Sequence, residues 1–351
     1  MASSYGGARD RIERICAATT DARALRLEVL AGIRRTIGFD AYAWLLTDPE
    51  TCVGAAPLAD VPCLPELPRL IRLKYLTATN RWTALPTGGA ATLVSATAGD
   101  LARSRLWREL LSTYGVTDVA STVFRDPYGC WGFLDLWRIG GAAFTAGQAA
   151  WLAEVVPVIT TALRRSQAAT FAASAPAARD SPGPVVLLLS ADLRLLAQTP
   201  ETDAYLRMLV PPDGATPPVP AGAYNVAAQL LAVEEAVDTG PPMARVHLAG
   251  GRWLTLRAAR IAEPVSTSDG TIAVTLERTA PQERLALFSR AAGLTARETE
   301  LLRHLATGTD TRELAGRLSV SRHTVQDHLK SIFAKTSTRT RRALLSRALG
   351  S

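Results

Sequence analysis

What the 351-residue chain lacks narrows its function before any motif is sought. It has four histidines, His247, His304, His323 and His328, and none in the first 246 residues. That excludes a Ser-His-Asp or Cys-His catalytic unit there, and with it imidazole-ligated haem or a His-based metal site. Its four cysteines, Cys16, Cys52, Cys63 and Cys130, lie far apart in sequence without a C-x-x-C pair. They read as reduced, mostly buried thiols rather than a disulfide framework or a zinc site. Neither G-x-x-x-x-G-K-[ST] nor G-x-G-x-x-G occurs, so neither phosphate-cradling loop is present. Lysine is scarce, 3 against 36 arginines, and the only one before residue 330 is Lys74, inside the apolar run PRLIRLKYL. A phosphoacceptor receiver, which needs a lysine beside an acidic cluster, does not fit. No apolar run approaches the ~18–20 residues that cross a bilayer, and MASSYGGARDRIER has no apolar core of signal-peptide length. The expectation is a cytoplasmic protein without a membrane span, metal, cofactor or enzymatic activity.

What is present is enough apolar content, 48%, for packed cores, and length for two or three domains of ~100–200 residues. The net charge of +7 is unevenly placed. Residues 284–351 carry 13 basic and 5 acidic side chains, and residues 1–283 carry 26 and 27. The whole basic excess belongs to the last fifth of the chain, which suggests a polyanion partner such as nucleic acid.

Along the chain, residues 9–37 read as one or two helices, AYAWLLT (41–47) as a strand and PRLIRLKYL (68–76) as a helix. DLARSRLWRELLSTYG (100–115) reads as one helix stopped by Gly115. DVASTVFR and CWGFLDLWR flank Asp126-Pro127-Tyr128-Gly129 and predict a hairpin. A long Ala-rich helix follows from about Thr145 to Ala173. Residues 172–184, rich in Ala, Pro and Ser, read as a linker. Beyond it VVLLLS predicts a buried strand, ADLRLLAQ a turn and a second strand, PETDAYLRML a short helix and PPDGATPPVPAG a loop. YNVAAQLLAVEEAV predicts a helix, and RVHLAG, GRWLTLRAARI and TIAVTLER three strands, with Gly250-Gly251 as the first turn. Both modules are α+β.

Residues 294–349 are marked at every helix start. Thr295 with Glu298, and Asp310 with Glu313, predict capping boxes, and Ser321 after the turn Ser319-Val320 caps a third helix running to about Lys335. A fourth helix spans about 340–349. Two helices, a tight turn and a longer third helix are the helix-turn-helix arrangement. On a 100° wheel Val325, Leu329, Ile332 and Phe333 form the apolar stripe of the third helix. His323, Gln326, Asp327, Lys330 and Ala334 fall opposite. Gln can pair with adenine, Asp accepts from cytosine N4 and Lys donates to guanine, whereas His328 and Lys335, on one flank, suit phosphates. Asp327 also has a reading as a solvated acid that discriminates against wrong sites, and His328 one as a half-buried core residue.

Leu294-Thr295-x-Arg297-Glu298, Glu313-Leu314-Ala315 with Leu318, and Ser321-x-x-Thr324-Val325-x-x-His328 with Ile332 and Lys335 resemble the C-terminal domain of the LuxR family of bacterial transcriptional regulators. TVQDHLKSIFAKT followed by STRTRRALLSRAL is similar to an actinobacterial branch that carries sensor-like modules in front. The resemblance implies an all-α four-helix domain over 284–351 that reads double-stranded DNA through Ser321, Arg322, His323, Thr324, Gln326, Asp327, His328, Lys330 and Lys335. It further implies a homodimer paired through Leu344, Leu345 and Ala348, with RNA polymerase as a further partner. By element order alone, residues 1–174 resemble a GAF domain and 183–280 a degenerate PAS domain, sensor modules joined by 172–184 and 279–293 that would gate the DNA-binding part through a small ligand or a partner. The lactone-binding domain of quorum sensors is a rival for the first module, but its signature is not visible around Tyr75 and Trp82.

Tyr42, Trp44, Trp131 and Trp137 sit on predicted strands and are candidates to line a ligand pocket, with core packing as the competing reading. Cys130 has no cation beside it in sequence to make it reactive. Asp126 and Asp135 read as surface charges at the hairpin, and Arg252 and Trp253 as a strand start and a buried anchor. The alternative to a DNA-binding regulator is a protein-interaction adaptor that keeps the helix-turn-helix fold, and behind it an enzyme with a regulatory tail.

Overall fold

The computed structural model describes residues 2–172, 185–202, 205–206, 221–248, 252–261 and 270–350. They form two compact units: Met1–Leu163, Pro182–Val246 and Leu254–Glu277 make the first, and Arg164–Ser181, His247–Trp253 and Arg278–Ser351 the second.

The first unit opens with α1 (Ala2–Ala18) and α2 (Ala22–Ile37). Asp21 starts α2 by accepting from the amides of Arg23 (3.0 Å) and Ala24 (2.8 Å). Then come β1 (Ala41–Thr47), β2 (Gly54–Asp60), α3 (Leu67–Leu76), β3 (Ala90–Thr92) and α4 (Leu93–Ala96). A segment containing α5 (Arg105–Glu109) leads to β4 (Val116–Asp126) and β5 (Gly129–Ile139). The sheet order is β2-β1-β5-β4-β3, with every pair antiparallel. Asp126 closes the expected hairpin, its Oδ1 accepting from Tyr128 N (2.9 Å) and Gly129 N (3.2 Å).

Residues 100–115 are not the single helix their periodicity predicts. The chain makes a 3-10 turn at Leu101–Arg103, α5, and a second 3-10 turn at Leu111–Tyr114. Leu106, Leu110 and Leu111 are all buried in one cluster with Leu70, Leu73, Val119 and Trp137. Leu110 leaves the helical region (φ −137°, ψ −60°), and the broken segment still buries all three leucines. Gly115, at φ 66°, ends the segment as expected.

α6 (Ala146–Ala169) is long and apolar enough to cross a bilayer. Trp151, Leu152, Val155, Val156 and Ile159 on it are buried inside the protein, so its length and apolarity serve the core.

The second sheet takes β6 (Val185–Leu189), β7 (Leu195–Gln198), β8 (Met243–Leu248), β9 (Arg252–Arg260) and β10 (Ile272–Arg278) in the order β7-β6-β10-β9-β8. β6 alternates buried and half-buried residues rather than being buried throughout, and β7 is exposed. Residues 173–184 of the expected linker, half of the helix at 200–209, residues 211–220 of the loop and the Gly250-Gly251 turn lie outside the described residues.

Between β7 and β8 runs α7 (Ala221–Glu234), buried at nearly every position from Ala221 to Ala232. A helix apolar all round needs cover on all sides, and α3 and β2 supply part of it. Two buried ion pairs join the same parts of the unit. Arg245 grips Asp48 through Nε (2.7 Å) and Nη2 (2.8 Å), and Arg81 meets Asp238 (2.8 Å) and Gln229 (3.0 Å). The sequence divides residues 1–174 from 183–280; in the structure both sheets belong to one compact unit.

In the second unit the expected joint at 279–293 is instead α8 (Pro281–Ala291), with Pro281 in its first turn and Leu285, Leu287, Phe288 and Ala291 buried. Phe288 meets Phe171 edge to face (5.4 Å), and Phe171 stacks on Trp253 (5.1 Å). Then follow α9 (Ala296–Ala306), α10 (Thr311–Arg317), α11 (Arg322–Thr336) and α12 (Arg341–Leu349). α8 packs on α12, so residues 281–349 form a bundle of five helices rather than four.

Candidate nucleic-acid interface and the cavity of the first sheet

Each helix of the bundle starts where the sequence marks it. Thr295 and Glu298 form the full capping box of α9. Asp310 caps α10 by accepting from Arg312 N (2.7 Å) and Glu313 N (2.8 Å), both bonds running from the amides to Asp310. Ser319 turns the chain at φ 51°, and Ser321 Oγ accepts from Thr324 N (3.0 Å) to open α11.

Val325, Leu329 and Ile332 on α11 are buried and Phe333 is half-buried. On the other side His323, Gln326, Asp327, Lys330 and Ala334 are exposed. Asp327 stands between two partners: one oxygen lies 3.4 Å from His323 Nε2 and the other 3.6 Å from Lys330 Nζ. The acid therefore partly offsets the Lys330 cation beside it. What the surface offers is an outward helical face with amide, carboxylate, imidazole and ammonium groups, the groups that read base edges.

The family described as bacterial regulatory proteins, luxR family (GerE), matches residues 292–348. Those residues are a LuxR-family domain. Among solved structures, the crystal structure of Escherichia coli SdiA aligns with 97% of this chain and 96% of its own at 14% identity, with a TM-score of 0.31. No curated protein sequence matches the chain.

Within the LuxR-family domain the expected site residues have different surroundings. Ser321 and Arg322 are exposed, and Thr324, half-buried, shares a hydroxyl contact with Ser321 (2.9 Å) as part of the cap. His328 is half-buried. Lys335, expected on a phosphate, is engaged elsewhere: its Nζ lies 2.7 Å from Oε2 of Glu298, a carboxylate only 4% exposed. Glu298 also accepts from Ser331 Oγ (2.6 Å) and Thr295 N (2.7 Å). Burial opposes its charge, but the bonds from Lys335, Ser331 and Thr295 win and bring its pKa down to about 2. The pairing face expected on α12 is not available as drawn. Leu344 and Ala348 are fully buried within the chain, where α12 packs on α8, and Leu345 is half-buried.

The expected ligand-pocket residues separate by strand register. Ala43 pairs with Asp135 and Leu45 with Phe133 across β1 and β5, so these side chains share one face with Trp137. Tyr42 and Trp44 point the other way; Trp44 is fully buried and stacks on Phe124 (5.1 Å). Trp131 is buried at the hairpin end, its Nε1 donating to Asp126 Oδ1 (2.9 Å). Of the four, only Trp137 lines the cavity under this sheet. Asp135 is not a surface charge: 5% exposed, it meets Lys74 Nζ at 2.6 Å in the cavity wall, whereas Asp126, half-buried, organises the hairpin.

Cys130 also has partners that its sequence neighbours hide. The neighbouring Cys52 thiol lowers its pKa against burial, with the Thr47 hydroxyl and Arg125 helping, while Cys52 itself is pushed up.

Proposed function

We propose that this chain is a sequence-specific transcriptional regulator in which α11 enters the major groove and the first unit, the GAF-like and PAS-like part, gates it by binding a small molecule or a partner. The observation that supports it most is the exposed face of α11, with His323, Gln326, Asp327 and Lys330 outward on a LuxR-family domain. The basic excess of residues 284–351 supplies non-specific attraction to phosphates. Sequence choice falls to Gln326 and Lys330, with Asp327 rejecting sites that offer it no cytosine amino group. A second copy of the chain is the expected partner on DNA, placing two α11 helices ~34–36 Å apart, and RNA polymerase is the further partner that regulation implies. α8 supports a gating role, since Phe171 and Trp253, from segments that follow α6 and β8, stack in one cluster with Phe288.

Gel retardation of genomic fragments by the full chain, titrated with salt, tests the reading. Sequence-dependent retention that weakens as salt rises is expected. No retention, or retention indifferent to salt, overturns it in favour of a protein-interaction adaptor.

A further inference from the structure

The first unit encloses a cavity of about 60 Å³ among β1, β2, β5, α3 and α7. Most of its wall is aliphatic or aromatic, but five side chains with polar groups line it: Tyr75, whose hydroxyl accepts from Gly54 N (2.9 Å), and Lys74, Asp135, Trp137 and Asn225. Two of them satisfy one another. Lys74 Nζ lies 2.6 Å from Asp135 Oδ2, and Ser121 Oγ donates to Asp135 Oδ1 at 2.7 Å. The other two have no partner. Asn225 is completely buried with neither Oδ1 nor Nδ2 hydrogen-bonded, and Trp137, 2% exposed, has an unpaired Nε1. An adjoining hollow of about 20 Å³ shares Lys74, Asp135 and Trp137 and is lined by Asn80, whose buried Nδ2 is also unpaired. Each buried polar group left without a bond costs ~1–3 kcal/mol. Two such groups in one cavity, with a third in the hollow beside it, point to an occupant.

We infer that this cavity binds a compact, uncharged molecule with an apolar body and carbonyl-type oxygen acceptors, the oxygens taking the free N–H groups of Asn225 and Trp137. The unpaired groups are mostly donors, Asn225 Nδ2, Trp137 Nε1 and Asn80 Nδ2, against one acceptor, Asn225 Oδ1. A hydrocarbon would leave them unpaired. An anion would enter apolar surroundings where the one cation is already matched by Asp135. Size follows from the volume: one water-sized group needs ~10–15 Å³ of such space, so about four to six non-hydrogen atoms fit without moving a side chain. Gly54 keeps the space at the wall, because a Cβ there would come within 2.6 Å of Leu45 and 3.1 Å of Asn225. With Asn225 on α7 and Trp137 on β5, an occupant joins the part of the unit carrying the first sheet to the helix that precedes β8. The chemistry of the site stands independently of DNA binding; its role as a sensor rests on the function proposed above.

The test uses the full chain, ¹⁵N-labelled, with the Trp137 indole signal assigned through Trp137→Phe. Three probes are titrated: cyclopentanone, methylcyclopentane and butyrate. Cyclopentanone is expected to shift the Trp137 signal saturably with a Kd on the order of millimolar. Methylcyclopentane and butyrate are expected to bind at least tenfold more weakly. Asn225→Leu is expected to weaken cyclopentanone about tenfold while the melting temperature holds or rises, since it removes an unpaired buried amide. Equal or tighter binding of methylcyclopentane, tighter binding of butyrate, or no saturable shift with any probe overturns the assignment. Gel retardation by Asn225→Leu, run separately, shows whether DNA binding is intact, so a failed regulator reading and a failed cavity are told apart.

Discussion

Glu298 fastens α9 to α11. Its two oxygens take Lys335, Ser331 and the Thr295 amide while its side chain is 4% exposed. Glu298→Gln is expected to cost the second unit about 2 kcal/mol, read by chemical denaturation. The pH dependence has a definite sign. Folding lowers this carboxyl from 4.5 to about 2, so its contribution is complete above pH 4.5 and is lost as pH falls from there toward 2. The difference in stability between the native chain and Glu298→Gln should shrink over that window; a constant difference contradicts the account. Lys335→Ala is expected to lower stability by leaving Glu298 buried without its cation. It should change the salt dependence of DNA binding by clearly less than the one unit expected of a free phosphate contact. The outward set His323, Gln326, Asp327 and Lys330 was legible from helical spacing alone. The engagement of Lys335 was not, because Glu298 lies on a different helix and only packing brings them together.

The helices with strong local marks, Asp21 before α2, Thr295 before α9, Asp310 before α10 and Ser321 before α11, fall where the residues place them. Caps and turns are local chemistry and read directly. Elements defined by long-range contact do not. β2, GAAPLAD, has small residues and a proline and no alternation to announce it; its ladder with β1 defines it. Residues 100–115 have helical spacing yet break around Leu110, where the chain packs its leucines against α3, β4 and β5. α8 lies where a joint was expected, because the value of Phe288 is visible only beside Phe171 and Trp253. Phe288→Ala is expected to destabilise the second unit by about 3 kcal/mol, measured by its melting transition, with the outward face of α11 unaltered. A change below ~1 kcal/mol would show that the aromatic cluster does not hold α8. The pocket candidates illustrate the same limit: period-two alternation assigns Trp137 and Asp135 to one face, but which face is hollow depends on α3 and α7.

For the whole molecule, the sequence reads two α+β modules ahead of a basic helical domain, and the structure assigns both sheets to one compact unit. Arg245 and Asp48, both nearly inaccessible and 197 residues apart, are among the contacts responsible. Arg245→Met leaves the Asp48 carboxylate buried with its backbone bonds alone and is expected to cost ~3–5 kcal/mol. Limited proteolysis should then cut between the first sheet and β8 where the native chain resists. Unchanged stability would mean that the two sheets are joined by apolar packing without help from this pair. Composition placed the basic excess correctly in the last fifth of the chain, but charge alone could not say that it is carried by a LuxR-family domain; the spacing of Thr295, Glu298, Ser321, Thr324 and Val325 did.

The central claim is that the outward face of α11 selects the DNA sequence. Sequencing of genomic fragments retained by the native chain, by Gln326→Ala and by Lys330→Ala tests it most directly. Each substitution is expected to relax preference at one base pair per half-site, a loss of ~1–3 kcal/mol there. Identical base preferences and affinities for all three proteins would contradict it.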